Sequence, residues 1–131
     1  MDQRQPLRRI GGMRDPEARR KAERYGRLAE TQAVLLLMLK GFRILARRCR
    51  TPAGELDIVA RRGRLLVACE VKARRIYDAE AVAPRQWARI AEALEAYVAR
   101  HPRLDACDRR YDLVDVVRGR LPRHRPDAWR P

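Results

Sequence analysis

Aromatic residues are scarce in this 131-residue chain, at 5% of positions, so any core must be built from Leu, Val, Ile and Ala. Cysteine and histidine are scarcer still. Cys49, Cys69 and Cys107 stand far apart with no CxxC spacing, and neither His101 nor His124 has a cysteine at ligand distance, which excludes a disulfide framework and a zinc knuckle. Long apolar runs are missing too: Val34 to Leu39 is the longest, far below the ~20 residues that cross a bilayer. No apolar stretch follows the charges at the N-terminus, so no secretory leader is read and the expected location is cytoplasmic. The length leaves room for one domain with a modest core.

What the chain has in excess is positive charge. Lys and Arg total 31 against 17 Asp and Glu, a net +14, which makes a polyanion the natural partner. Nearly all of it is arginine, since Lys21, Lys40 and Lys72 are the only lysines, and a bias of that kind points to composition more than to selected contacts. A membrane-surface role is disfavoured because no helical stretch combines a basic face with an exposed apolar one.

Residues 1–14 mix Arg, Gly and Gln without periodicity, and residues 118–131 are rich in Pro and Arg; both read as flexible basic tails around a domain at 15–117. Asp15, Pro16 and Glu17 form a helix-start signal, and Gly41 is a stop, which predicts one long helix between them. Three short strands follow: FRILARRCR, GELDIVA and RLLVACEVKA, with turns at Thr51–Gly54 and Arg61–Arg64. Helical periodicity returns from Pro84, with Trp87, Ile90, Ala91, Leu94, Tyr97 and Val98 on one stripe, and Pro102 ends it. A strand at Tyr111–Val117 completes an αβββαβ order. A crossover through the second helix sets that strand parallel to the third, which predicts an α/β fold with a mixed sheet.

Inside the strands lie charges that a core does not need: Asp57 in LDIVA, and Glu70 and Lys72 in VACEVKA. Alternation puts Glu70 and Lys72 on one face, and Glu55 with Asp57 on one face of the preceding strand. With Ala60 opposite Leu65, Asp57 and Glu70 become diagonal neighbours, about 7–8 Å apart. Two inward carboxylates at that separation suit Mg²⁺, with a lysine beside the ion, an arrangement fit for phosphodiester hydrolysis. Glu30 shares a helix face with Gly26, Ala33, Val34 and Leu37 and so turns toward the apolar side, from where it could reach the same site.

In order along the chain, GRLAETQA from Gly26, Gly41 and Phe42, GELDIVA from Gly54, CEVKAR from Cys69 and RYDLV from Arg110 resemble the blocks of the bacterial YraN or UPF0102 family, over residues 22–117. That resemblance implies the restriction-endonuclease-like fold of the PD-(D/E)xK nucleases, similar to archaeal Holliday junction resolvases. It implies that Glu30, Asp57, Glu70 and Lys72 are the metal-binding and catalytic positions, with Glu70-Val71-Lys72 as the ExK element. Two departures stand out: the segment after Arg74 is shorter than usual in the family, and Gln86 stands where many members carry a lysine.

Blander readings sit beside these. Glu70 and Lys72 alone could be a same-strand ion pair, and Glu30 could pair with Arg27 or Lys40 in solvent. Glu55 is either a further ligand or a turn residue, Gly54 serves turn geometry, Asp112 and Asp115 pair with arginines, and Cys69 is a small core residue. Trp87 reads as core and Tyr77 as a residue able to stack on bases. Arg47, Arg48, Arg50, Arg74 and Arg75 flank the carboxylates as a rim for a phosphate backbone. The resulting expectation is a Mg²⁺-dependent endonuclease, with Mn²⁺ able to substitute, acting on branched or otherwise non-canonical DNA in preference to RNA, with no membrane partner and homodimerisation left open. A nucleic-acid-binding protein of the same fold without turnover is the alternative.

Overall fold

The computed structural model describes residues 15–131, so the expected N-terminal tail at 1–14 lies outside the described residues. Helix α1 spans Pro16–Leu39 and α2 spans Pro84–Arg100. Strands β1 (Arg43–Thr51), β2 (Gly54–Arg62), β3 (Leu65–Arg74), β4 (Asp108–Val117) and β5 (Arg123–Trp129) form one sheet in the order of the chain. Only β3 and β4 are parallel; the other neighbours are antiparallel. This is the expected mixed α/β architecture with one strand added.

Local chemistry explains the helix ends. Asp15 caps α1 by accepting the Glu17 and Ala18 N–H groups at 3.0 and 3.3 Å, and Pro16 needs no donor in the first turn. At the other end Gly41 takes φ +91°, Phe42 N–H reaches Leu37 O and Gly41 N–H reaches Met38 O, both at 3.0 Å. That is a Schellman stop, in which Phe42 packs back beside Leu37 in the core.

The sheet separates two apolar layers. On one side α1 lays Ala29, Ala33, Val34 and Leu37 over Ile58, Ala60, Val67, Cys69, Val114 and Val116. On the other, α2 lays Trp87, Ile90, Ala93, Leu94, Tyr97 and Val98 over Val59, Leu66, Ala68, Tyr111 and Leu113. Burial of α1 begins only at Ala29, so its first three turns project past the sheet with Arg19, Arg20, Lys21, Arg24 and Arg27 exposed.

Three expectations need correction. The β2–β3 register runs Arg62↔Leu65 to Ile58↔Cys69, two residues away from the Ala60–Leu65 pairing, because the turn is only Gly63 and Arg64, with Gly63 at φ +61°. A slip of two keeps every side chain on its face, so Asp57 lies across from Glu70 instead of diagonal to it. Residues 118–131 are not a tail: β5 pairs with β4, and Trp129 stacks parallel to Trp87 at 6.2 Å and edge-on to Tyr111 at 5.6 Å. The last predicted strand also starts earlier, at Asp108, after a 3₁₀ turn at Pro102–Leu104.

Both outermost strands are irregular. In β1 the register shifts between Ile44 and Ala46, and Arg48 has φ +49°. In β5 it shifts between the partners of Tyr111 and Leu113, over a segment holding Pro126 and Asp127 at φ +56°.

Candidate active site

The β2–β3 ladder ends at Ile58↔Cys69, and beyond it the two strands fork. Val71, which would next bond to β2, donates its backbone N–H to Asp57 Oδ2 at 2.9 Å instead. The aspartate thus stands in for a strand carbonyl, and the fork holds it facing Glu70. The two carboxyl groups are near enough for the charge on Asp57 to act on Glu70. Lys72, two residues on and on the same face, brings Nζ to 3.4 Å from Glu70 Oε2. From the first turn of α2, Gln86 donates Nε2 to the same oxygen at 3.0 Å.

Burial drives the electrostatics. It pushes the Asp57 carboxyl above its usual range despite the Val71 N–H, and it pushes Glu70 up to about 7, with the Asp57 charge adding to the shift and Lys72 opposing it. Two desolvated carboxyl groups facing each other form a site in want of a cation. Their oxygens are hard donors, and Mg²⁺ is commonly held by one or two carboxylates while keeping several waters, so the pair fits such an ion. Among the described residues no third Asp, Glu, His or Cys joins them into a larger ligand group.

Glu30 is buried, as its helix face predicted, but its partners are neither Arg27 nor Lys40. Arg47 reaches Oε1 and Arg48 reaches Oε2, each at 3.1 Å. The structure therefore does not bring Glu30 into one ligand set with Asp57 and Glu70. Asp57 stands on the wall between two clefts. The one toward α1, of about 480 Å³, is lined by Glu30, Arg27, Arg48 and Arg50; the one toward α2, of about 370 Å³, by Glu70, Gln86 and Arg89.

The other expected residues divide. Arg50 and Arg75 are exposed, with Arg50 at 3.7 Å from Glu55 across the β1–β2 hairpin. Arg74 is corrected: its side chain is buried on Asp115 at 2.7 Å and donates to the Glu80 carbonyl, so it is a structural group and no part of a rim. Asp112 is likewise structural. It is fully buried and accepts from Arg110, His124 and the Asp127 N–H. Gly54 takes φ +145° in a turn held by Thr51 Oγ1, and Trp87 is core, as expected. Tyr77 donates its hydroxyl to Leu121 O at 2.6 Å. Cys69 is buried in the α1 layer, where burial keeps its thiol well above the usual range. Sequence reasoning overlooked Arg89 and considered Arg27 only as a solvent partner of Glu30, not as a cleft residue; only the spacing of α1 and α2 against the fork could have indicated either place.

Residues 29–116 match the uncharacterised protein family UPF0102. A UPF0102 protein of Parvibaculum lavamentivorans is 54% identical over 112 residues, 84% of each chain. One from Maricaulis maris is 50% identical over 116 residues, covering 87% of this chain and 91% of its own. A third, from Paramagnetospirillum magneticum, is 47% identical over 119 residues, with 86% and 92% covered. The family match takes in Glu30, the forked strands and α2 together, and this chain belongs to the uncharacterised protein family UPF0102.

Proposed function

We propose that this protein is a divalent-cation-dependent phosphodiester hydrolase acting on DNA, with Mg²⁺ as the ion and Mn²⁺ able to replace it. The observation that carries the reading is the convergence of Asp57 and Glu70 at the strand fork with Lys72 beside them. Asp57 and Glu70 would hold the cation, which when bound supplies Lewis-acid polarisation of the phosphoryl group and a more acidic water. The Val71 N–H and the Gln86 amide keep the two carboxylates in place. Lys72, partly exposed, offers ammonium protons to a non-bridging phosphoryl oxygen as charge builds there. The net charge of +14 supplies attraction to the backbone without base readout, which agrees with a substrate chosen by structure.

A DNA-binding role without turnover is the competing reading, and one observation favours it: among the described residues only two carboxylates converge. Cleavage of duplex, single-stranded, flapped and four-way-junction DNA with Mg²⁺ or Mn²⁺ separates the two. The hydrolase cuts at least one substrate, and Asp57→Asn, Glu70→Gln and Lys72→Ala each lose that activity while keeping DNA affinity. No cation-dependent cut by the wild type, or full activity in all three variants, selects the binding role.

A further inference from the structure

Both oxygens of Glu30 are already taken. Arg47 donates to Oε1 through Nε at 3.3 Å and Nη2 at 3.1 Å, and Arg48 donates through Nε to Oε1 and Oε2 at 3.2 and 3.1 Å. A divalent cation at this carboxylate would sit against two guanidinium charges, which repel it. We propose that Glu30 is instead a positioning residue that holds Arg47 and Arg48 as a two-armed clamp for a phosphate of the DNA backbone. The inference rests on the nucleic-acid half of the proposed function and not on hydrolysis.

The backbone supports it. Successive residues of a strand point to opposite faces, yet Arg47 and Arg48 reach one carboxylate. They do so because Arg48 takes φ +49°, a left-handed conformation unfavourable for a residue with a side chain. A lone surface ion pair does not require such a distortion. Glu30 is 7% exposed, whereas the Arg47 and Arg48 side chains are 43% and 44% exposed. The anchor is inside and the guanidinium groups are open to a ligand. Arg48 meets Glu30 only through Nε, which leaves the planar Nη edge that suits a phosphate, and Arg48 lines the same cleft as Asp57. Arg47 is steadied further by Thr31 Oγ1 at 3.2 Å. Fixing two long side chains before binding removes the entropy that binding would otherwise cost.

The test measures duplex DNA binding in EDTA, by fluorescence anisotropy over salt, for wild type, Glu30→Gln, the Arg47→Gln/Arg48→Gln pair, and the triple variant. Glu30→Gln raises the net charge of +14 by one, so charge alone predicts tighter binding. The clamp predicts weaker binding. Loss of two phosphate contacts lowers the salt slope by about 1.8, so the wild-type advantage shrinks about twelvefold between about 50 and 200 mM salt. The arginine pair reproduces this, and the triple variant adds nothing to it. Tighter binding or a steeper slope in Glu30→Gln, or additive effects in the triple variant, overturns the proposal. In a parallel melting experiment Glu30→Gln keeps the Mn²⁺-induced rise in Tm; its loss marks Glu30 as a cation ligand and also overturns the proposal. Failure of the wild type to bind DNA at all sinks the nucleic-acid reading itself, whereas absence of cleavage has no bearing on a cation-free assay.

Discussion

Gln86 donates its side-chain amide to Glu70 across 3.0 Å, which ties the first turn of α2 to β3, the strand that carries one of the two paired carboxyl groups. The amide is a neutral donor, so it orients Glu70 without adding charge beside Lys72. Gln86→Ala should therefore leave the fold intact and weaken Mn²⁺ binding by about tenfold, as loss of a ligand-orienting partner usually does. Titration followed by the paramagnetic signal of free Mn²⁺ measures it, and unchanged affinity would remove Gln86 from the site.

The elevated Glu70 carboxyl makes stability depend on pH. Its folded value of about 7 lies above the ~4.3 of an unfolded glutamate, so its contribution is complete below about pH 4 and is lost as pH rises through 7. The swing is on the order of 3 kcal/mol. In EDTA the wild type should lose stability over this window, Glu70→Gln should lose less because Asp57 alone remains raised by burial, and Mg²⁺ at pH 8 should restore the wild type alone. Urea titrations at pH 5 and 8 read the difference directly.

Asp112 behaves in the opposite sense. Burial alone would raise its carboxyl, but hydrogen bonds from His124 and Arg110 and the Asp127 N–H outweigh it and bring the value down to about 2. Its stabilisation is therefore present above the ordinary aspartate range and is lost as pH falls through 2. Asp112→Asn leaves Arg110 and a buried His124 without their carboxylate, and about 3 kcal/mol of stability should disappear at pH 7. A Tm equal to that of wild type would contradict this.

The C-terminal strand should prove indispensable. Trp129→Ala removes a ring packed on Trp87 and Tyr111 and should cost about 2–3 kcal/mol, while a chain ending at residue 121 should fail to fold. Circular dichroism and limited proteolysis distinguish this from a dispensable tail.

These cases show what sequence patterns convey. The limits of α1 were readable because capping by Asp15 and the Gly41 stop are local. The facing of Asp57 and Glu70 survived a misjudged turn because strand alternation has period two. β5 was unreadable because RHRPDAW has the composition of a linker and becomes a strand through distant partners: Asp112 for His124 and Asp127, Asp78 for Arg123 and Arg125. Among 28 arginines nothing local marks Arg74 as the one folded onto Asp115. The partners of Glu30 likewise lie in β1, beyond the reach of helical spacing.

The irregular margins of the sheet have a consequence for crowding. Strands with unpaired backbone groups are templates on which other chains add, and a protein this rich in β structure carries two such edges. Here β1 is bent by a bulge and studded with Arg43, Arg47, Arg48 and Arg50, while β5 is interrupted at Pro126 and flanked by Arg123 and Arg125. Each edge combines like-charge repulsion with a broken hydrogen-bond register, two features that oppose edge-to-edge addition of further chains.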